Sequence, residues 1–355
     1  MDLKQNLNVP VKRCSCCIMP KTLNHIELDA NGVCTSCKTF KELNQTIKAQ
    51  HTISFEDKSS EEKKAIFLKK IAKYRDNGSK YDCVVAVSGG KDSIMTLYTA
   101  HELGLKPLAV FIDNGFSLPD MYDNIKNATD ILDVDCLMFR TNEMKKIFRY
   151  FIASTKPIYY CRVCHILLEV LIKDICKQYG IQLILGGYTK GQSYLKQNEL
   201  SWIFDKSDEN TLEVLSQHED CKYLIDIIKN PVAYSLKHYK GIVQISPFKY
   251  LDYDEDTIVK LIKEKLKFKV PQNSWPTNST NCSFNFISQY LAMKQFGYSQ
   301  HETEFSDLIR SGEMARERAE QLISTPITIQ DFVKPLESLR ISLDDIMACT
   351  KNIAE

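Results

Sequence analysis

The sequence predicts an α/β fold in which helices cover a parallel sheet, with a small metal-stapled module in front and a helical extension behind. Three observations predict it. Between residue 81 and about 250, short apolar runs alternate with amphipathic helical patterns, the order expected of strand-helix-strand units. The run Asp82-Cys83-Val84-Val85-Ala86-Val87 has buried-strand character and leads directly into a Gly-rich turn and an apolar-periodic helix. Ahead of this region, four cysteines stand in two C-x2-C pairs.

Each element follows in order. Residues 1–40 hold the paired cysteines with little periodic apolar pattern and read as a zinc-binding module. Residues 41–80 are rich in Lys, Glu and Ser; 61–74 has helical spacing, so the stretch reads as a helical connector. Residues 81–250 form the sheet domain, with strands at 82–87, 107–112, 135–139, 181–185 and 242–245 and helices at 93–103, 120–132, 142–153 and 163–179. Ligands in such a sheet gather at the carboxyl ends of the strands. Residues 251–355 lose the strand signal and carry helical patterns at 255–267, 284–296, 302–309 and 315–324, so they read as a helical, substrate-binding extension.

Composition narrows the function classes. Lys+Arg and Asp+Glu nearly cancel, at 46 against 45, so the chain has no global bias toward nucleic acid and a nucleic-acid partner is disfavoured. No apolar run reaches the length of a bilayer span, and residues 1–6 lack the apolar core of a signal peptide. A cytoplasmic location without membrane partners is expected. In that setting the thirteen cysteines point to metal binding or burial, not to disulfides.

The turn after the first strand is Ser88-Gly89-Gly90-Lys91-Asp92-Ser93. Two glycines let the backbone approach an anion, the following helix presents free N–H groups, and Ser and Lys add a hydroxyl and a cation. The spacing differs from the Walker loop, G-x-x-x-x-G-K-[ST]. Cys14, Cys17, Cys34 and Cys37 have the spacing of a tetrahedral structural zinc site; Cys16, lying between two of them, is an alternative ligand to Cys17. Cys161-Arg162-Val163-Cys164 precedes a long helix, and Cys282 lies far downstream. If the three meet they make a second metal site; otherwise they are buried thiols.

The hexapeptide resembles the PP-loop of the Rossmann-like adenine-nucleotide alpha-hydrolase superfamily, whose ATP pyrophosphatases include asparagine synthetase, GMP synthetase and tRNA-thiolating enzymes. The resemblance implies ATP and Mg2+, cleavage to AMP and pyrophosphate, and an ATP cradle made by Ser88, Gly89, Gly90, Lys91, Asp92 and Ser93. Lys91 would meet transition-state charge, Asp92 would orient the metal or the loop, and Ser93 would complete the catalytic set. An acidic residue at the end of the next strand would sit near the adenosine; Asp113 takes that place and is equally a turn residue. Some PP-loop thiolation enzymes hold a [4Fe-4S] cluster on a C-x-x-C and a later cysteine, which is what Cys161, Cys164 and Cys282 would imply here.

Further stretches are similar to the N-acetyl sugar amidotransferases, which make bacterial surface sugars such as pseudaminic and legionaminic acids and acetamidino-uronates for lipopolysaccharide or flagellin glycans. They are Cys14-x-x-Cys17-Ile18-Met19-Pro20, Gly32-Val33-Cys34-Thr35-Ser36-Cys37, Gly186-Gly187-Tyr188-Thr189-Lys190-Gly191-Gln192, Thr280-Asn281-Cys282, and Leu308 to Met314 with Arg316. The resemblance covers about 12–325, less clearly at 193–240, and neither the first eleven nor the last thirty residues. It implies that the N-acetyl amide oxygen attacks the α-phosphorus of ATP and that ammonia then displaces AMP. Gly187 would lie at the ATP; Tyr188, Lys190 and Gln192 would contact phosphate or sugar, or else form a solvated turn. Arg310 and Arg316 would bind a sugar carboxylate, or sit on a surface helix. No Gly-x-Cys-x-Gly elbow is present, so a separate glutaminase subunit is implied as the ammonia source. The alternative activity is tRNA thiolation, against which the near-zero charge argues.

Overall fold

The computed structural model describes residues 3–7, 11–22, 25–49, 55, 57–76, 78–188, 199–276 and 280–351. Its five strands are β1 Cys83–Ala86, β2 Pro107–Asp113, β3 Cys136–Arg140, β4 Leu183–Gly186 and β5 Val243–Ile245, each within two residues of its expected ends. They form one sheet in the order β3-β2-β1-β4-β5 with every neighbouring pair parallel; Val84 of β1 lies opposite Leu108 and Ile184. β1 is central, and the chain leaves it first toward β2 and later returns on its other side at β4. That reversal opens a crevice at the carboxyl ends of β1 and β4.

The apolar runs of β1, β2 and β4 exist because both faces of the sheet are covered. On one face Cys83, Val85, Ala109, Phe111, Leu183 and Leu185 pack against α2 (Ser60–Ala72), α3 (Lys91–Glu102), α4 (Pro119–Leu132) and α10 (Glu255–Leu266). On the other, Val84, Val110 and Ile184 meet Ile175 and Cys176 of α6 (Tyr160–Tyr179). α10 falls within the extension that the sequence predicts from residue 251, yet Ile258, Ile262 and Leu266 pack in the same cluster as the strands. The expected boundary at 250 therefore runs through this packing.

The module at the N-terminus leads into α1 (Thr35–Ala49). The stretch 193–240, where the family resemblance is less clear, contains α7 (Glu199–Ser216), α8 (Tyr223–Lys229) and α9 (Pro231–His238). The C-terminal helices are α11 (Asn285–Phe296), α12 (Gln300–Ser311), α13 (Arg316–Ser324), α14 (Val333–Leu339) and α15 (Leu343–Ala348). They share one core with α5 (Glu143–Ser154), α6, α7 and α8: Phe284 stacks on Phe148 at 4.4 Å, and Ile287, Leu291, Leu322 and Phe332 join the same cluster. The extension is thus built onto the sheet domain. Ser299 and Glu302 form a capping box that fixes where α12 begins. No described helix is long and apolar enough to cross a membrane.

Ile262→Ala tests the place of α10. The side chain is fully buried against the sheet cluster, so urea unfolding of the whole sheet domain should lose about 2–5 kcal/mol.

Candidate active site

The turn after β1 is held from behind by two side-chain amides. Asn124 on α4 donates to the Gly89 carbonyl at 2.9 Å, and Asn281 donates to the Ser88 carbonyl at 3.3 Å. In a trans peptide the N–H points opposite to the C=O, so these anchors turn the N–H groups of Gly89 and Gly90 away from themselves. α3 begins at Lys91, with Gly90 as its N-cap, and its first-turn N–H groups have no partner within the helix. Ser93 ties the turn together: its Oγ accepts from the Ser88 N–H at 3.0 Å and donates to the Gly90 carbonyl at 3.0 Å. The result is a cluster of backbone donors at a helix N-terminus, an anion-binding geometry.

Two glycines are required by close approach. Gly89 has φ +80°, and a Cβ there would lie 2.5 Å from the Met121 carbonyl oxygen. Gly187, at the end of β4, lies so near α3 that a Cβ would stand 2.7 Å from the Asp92 carbonyl carbon and 2.8 Å from the Ser93 nitrogen. Gly187 therefore borders the turn itself. Tyr188 follows, half-buried, its carbonyl accepting from Ser246; burial and the charge of Glu169 push its phenol above the ordinary range. Lys190 and Gln192 lie outside the described residues.

The side chains of the turn are charged and paired. Lys91 Nζ is 3.3 Å from Asp92 and 3.7 Å from Glu255. Burial opposes its charge, but the fields of Asp92, Glu255 and Glu304 outweigh this and raise its pKa, so it stays an ammonium. Tyr253 donates to Asp92 Oδ1 at 2.7 Å; burial first, and Asp92 second, push its phenol far up and keep it a donor. Three carboxylates face one lysine. Asp92 and Glu255, the two that contact its Nζ, fit magnesium, which is usually held by one or two carboxylates together with phosphate oxygens and water.

Asp113 closes β2 and is buried. Its Oδ1 accepts from the Gly115 N–H at 2.8 Å and its Oδ2 lies 3.2 Å from Arg140. The turn role is therefore observed. Tyr122 beside it is pushed up to about 12 by burial and by its hydrogen bond with Asp113.

The ligand atoms of Cys14, Cys17, Cys34 and Cys37 all lie within 4.8 Å of one another, the single set of three or more potential metal ligands this close among the described residues. Cys14 and Cys37 sulfurs are 3.9 Å apart and those of Cys17 and Cys34 are 3.7 Å apart. A tetrahedron with zinc–sulfur bonds of about 2.3 Å has edges of about 3.8 Å, so the set fits zinc. Hydrogen bonds from Cys34 and Cys37 hold the Cys17 thiol far below its ordinary value, which favours a thiolate ligand. Cys16 is exposed and outside the set, which settles the choice in favour of Cys17.

Cys161, Cys164 and Cys282 are neighbours but do not approach within the 4.8 Å of the first set. Cys161 sulfur contacts Ser288 Oγ at 3.0 Å, and Cys164 sulfur accepts from Asn114 at 3.3 Å. Burial raises all three thiols, Cys164 to about 12.

Arg310 and Arg316, which the sequence assigns to a sugar carboxylate or to a surface helix, are both tied into the protein. The Arg310 side chain is 6% exposed, forks onto buried Glu199 at 3.0 and 3.2 Å and meets Asp307 at 2.5 Å. Arg316 donates to the carbonyls of Cys14 and Cys17 and pairs with Glu320 at 2.8 Å. Both guanidinium groups are occupied within the protein. The residues that sequence reasoning missed are Asn124, Tyr253, Glu255 and Glu304; Asn281 was noted only as part of a motif. None has a local signature, because each reaches the turn from a distant element.

Gly187→Ala should destabilise the protein by about 1–3 kcal/mol in denaturant unfolding, because the backbone of α3 must move. Gly90→Ala should leave stability unchanged, since its Cβ meets nothing nearer than 3.6 Å. For the metal, Cys16→Ser should keep one bound ion per chain and Cys17→Ser should lose it, as read by elemental analysis of purified protein.

Comparison with known proteins bears on this geometry. Residues 82–263, just over half of the chain, match the phosphoadenosine phosphosulfate reductase domain family, and residues 280–353 match the C-terminal domain of the LPS biosynthesis protein WbpG-like family. The second match reaches well past residue 325, where the resemblance read from the sequence stopped. An uncharacterised protein of Methanocaldococcus jannaschii, MJ1599, is 24% identical over 327 residues, 91% of this chain and 97% of that protein. Among solved structures, NMN synthetase from Francisella tularensis aligns with a TM-score of 0.40 and 12% identity over 81% of this chain and 98% of its own. PAPS reductase from Candida auris aligns with 0.32 and 16% over 67% and 88%. In agreement with the PP-loop amidotransferase resemblance, the chain belongs to the phosphoadenosine phosphosulfate reductase domain family of PP-loop proteins and carries a WbpG-like C-terminal domain.

Proposed function

We propose that the chain is an ATP-dependent, AMP-forming amidotransferase that replaces the N-acetyl amide oxygen of a bacterial surface sugar with ammonia, giving an acetamidino group. One observation carries the reading: Asn281, from the WbpG-like region, holds the Ser88 carbonyl of the nucleotide turn, so a single site draws on both matched regions.

The chemistry follows from what an amide lacks. Its oxygen is a poor leaving group, so ammonia cannot displace it at neutral pH. Attack of that oxygen on the α-phosphorus of ATP forms an O–P bond, breaks the bond to pyrophosphate and releases the amide proton, leaving an O-adenylyl imidate. Ammonia then adds at the imidate carbon and AMP departs. In this scheme the N–H groups of Gly89, Gly90 and the start of α3 bind phosphate, Ser88 and Ser93 hold the turn in shape, and Lys91 meets charge on the departing pyrophosphate. Asp92, oriented by Tyr253, would hold magnesium, which supplies further charge neutralisation. Asp113 and Gly187 border the nucleotide; Tyr188, Lys190 and Gln192 are assigned to the sugar side. Ammonia would come from a separate glutaminase subunit. The four-cysteine module takes zinc as a structural ion, because four thiolates leave no open position for chemistry.

The test is to incubate the full chain with Mg-ATP, ammonium chloride and a panel of N-acetylated nonulosonic acids and nucleotide sugars. The expected outcome is AMP together with a product in which oxygen has been replaced by NH, and a loss of about 10²- to 10³-fold in rate for Lys91→Ala. Formation of ADP, or of AMP only with tRNA and a sulfur donor, would exclude this reading.

A further inference from the structure

The four-cysteine module is tied to α12 along one helical face. Glu302, Ser306 and Arg310 are spaced four residues apart, so they lie on one side of the helix. Arg13, next to Cys14, pairs with Glu302 at 2.5 Å while holding the Ile18 carbonyl at 2.7 Å. Ser306 Oγ accepts from the Ile18 N–H at 3.4 Å. Arg310 reaches the Cys17 sulfur at 3.9 Å while paired with Glu199 and Asp307. From the start of α13, Arg316 adds donations to the carbonyls of Cys14 and Cys17. First turn, middle and last turn of α12 are all fastened to the cysteine knuckle.

On the other side of the same helix stands Glu304, whose charge reaches Lys91 of the nucleotide turn. Residues 301 and 304 lie roughly opposite 302, 306 and 310 on a helix of 3.6 residues per turn. His301 and Glu304 pair across 3.8 Å, nearly buried, and the charge of Glu304 acts on Lys91 and Tyr253. α12 thus holds the metal module along one side and carries, on the other, a carboxylate whose field reaches Lys91. Around an ion held by four thiolates, Arg310 and Arg316 act as second-layer donors, Arg310 to the Cys17 sulfur and Arg316 to the Cys14 and Cys17 carbonyls. Without the ion, the thiols need neither the arginines nor one another at this spacing.

We infer that metal binding by Cys14, Cys17, Cys34 and Cys37 fixes α12 against the nucleotide turn, with Arg310 and Arg316 as positioning residues that couple the module to the active site. The inference rests on reading that turn as the nucleotide site. It makes the metal a structural control on catalysis from outside the chemistry.

The experiment uses the full zinc-loaded chain and the variants Arg310→Met and Arg316→Met. Both variants should release zinc to a chelator about 10- to 100-fold faster than the unaltered protein. Cobalt-substituted Arg310→Met should shift the thiolate charge-transfer band, because the guanidinium sits on the Cys17 sulfur. Stripping zinc from the unaltered chain should raise amide hydrogen exchange across 299–311 while β1 and β2 stay protected, and should raise KM for ATP more than it lowers kcat. Release at the unaltered rate, an unshifted band, or unchanged exchange across 299–311 would overturn the inference. Loss of protection in β1 and β2 as well would also count against it, because the ion would then hold the whole fold. Amide exchange, the cobalt band and zinc release do not require turnover, so absence of AMP formation would remove the proposed reaction and leave the coupling to stand or fall on those three.

Discussion

Two backbone carbonyls, Ser88 and Gly89, decide what the turn after β1 can bind. Left to solvent they would present negative dipoles to any approaching phosphate. Asn281 and Asn124 take them instead, and peptide planarity then swings the intervening N–H groups away from those amides. The turn has no slack in which to undo this. Met121 presses on Gly89 from one side, and Gly187 presses on the start of α3 from the other. A turn so clamped binds an anion without having to reorganise, which is where the energetic advantage of a preformed site arises.

The clamps come from separate parts of the chain. Asn124 belongs to α4, Gly187 to the end of β4, Tyr253 and Glu255 to the segment after β5, and Asn281 to the WbpG-like region. A helical extension that merely flanked the sheet would leave the turn half-supported. The shared aromatic core of Phe148, Tyr160 and Phe284 prevents that by joining the extension to α5 and α6. At the opposite end, the cysteine module braces α12, and α12 carries Glu304 toward Lys91. Charge and packing therefore converge on one crevice, at the carboxyl ends of the two strands where the sheet order reverses.

Much of this was legible from sequence because it is local. Strand runs, helix periodicity, the glycine turn and paired C-x2-C spacing are all written within a few residues of where they act, and the structure places the strands within two residues of expectation. What escaped was long-range. Arg310 reads either as a ligand for a sugar carboxylate, which a guanidinium matches bidentately, or as a surface-helix residue; its buried partner Glu199 lies more than a hundred residues away, with nothing in either segment to announce the other. Tyr253 escaped for the same reason, and Asn281 was read only as part of a motif. The place of α10 against the sheet is not legible because an amphipathic pattern fixes which face is buried and says nothing about which surface receives it. α7 to α9 are not read from the sequence, and α9 buries none of its residues, so no core-facing stripe marks it.

The most direct measurement follows one oxygen atom. With an N-acetyl sugar carrying ¹⁸O in its amide, ammonium, Mg-ATP and the full chain, the account requires the label to leave the sugar and appear in the phosphate of AMP, because that oxygen becomes the bridge to the α-phosphorus. Label found in water or in inorganic phosphate, with none in AMP, would contradict adenylation of the amide.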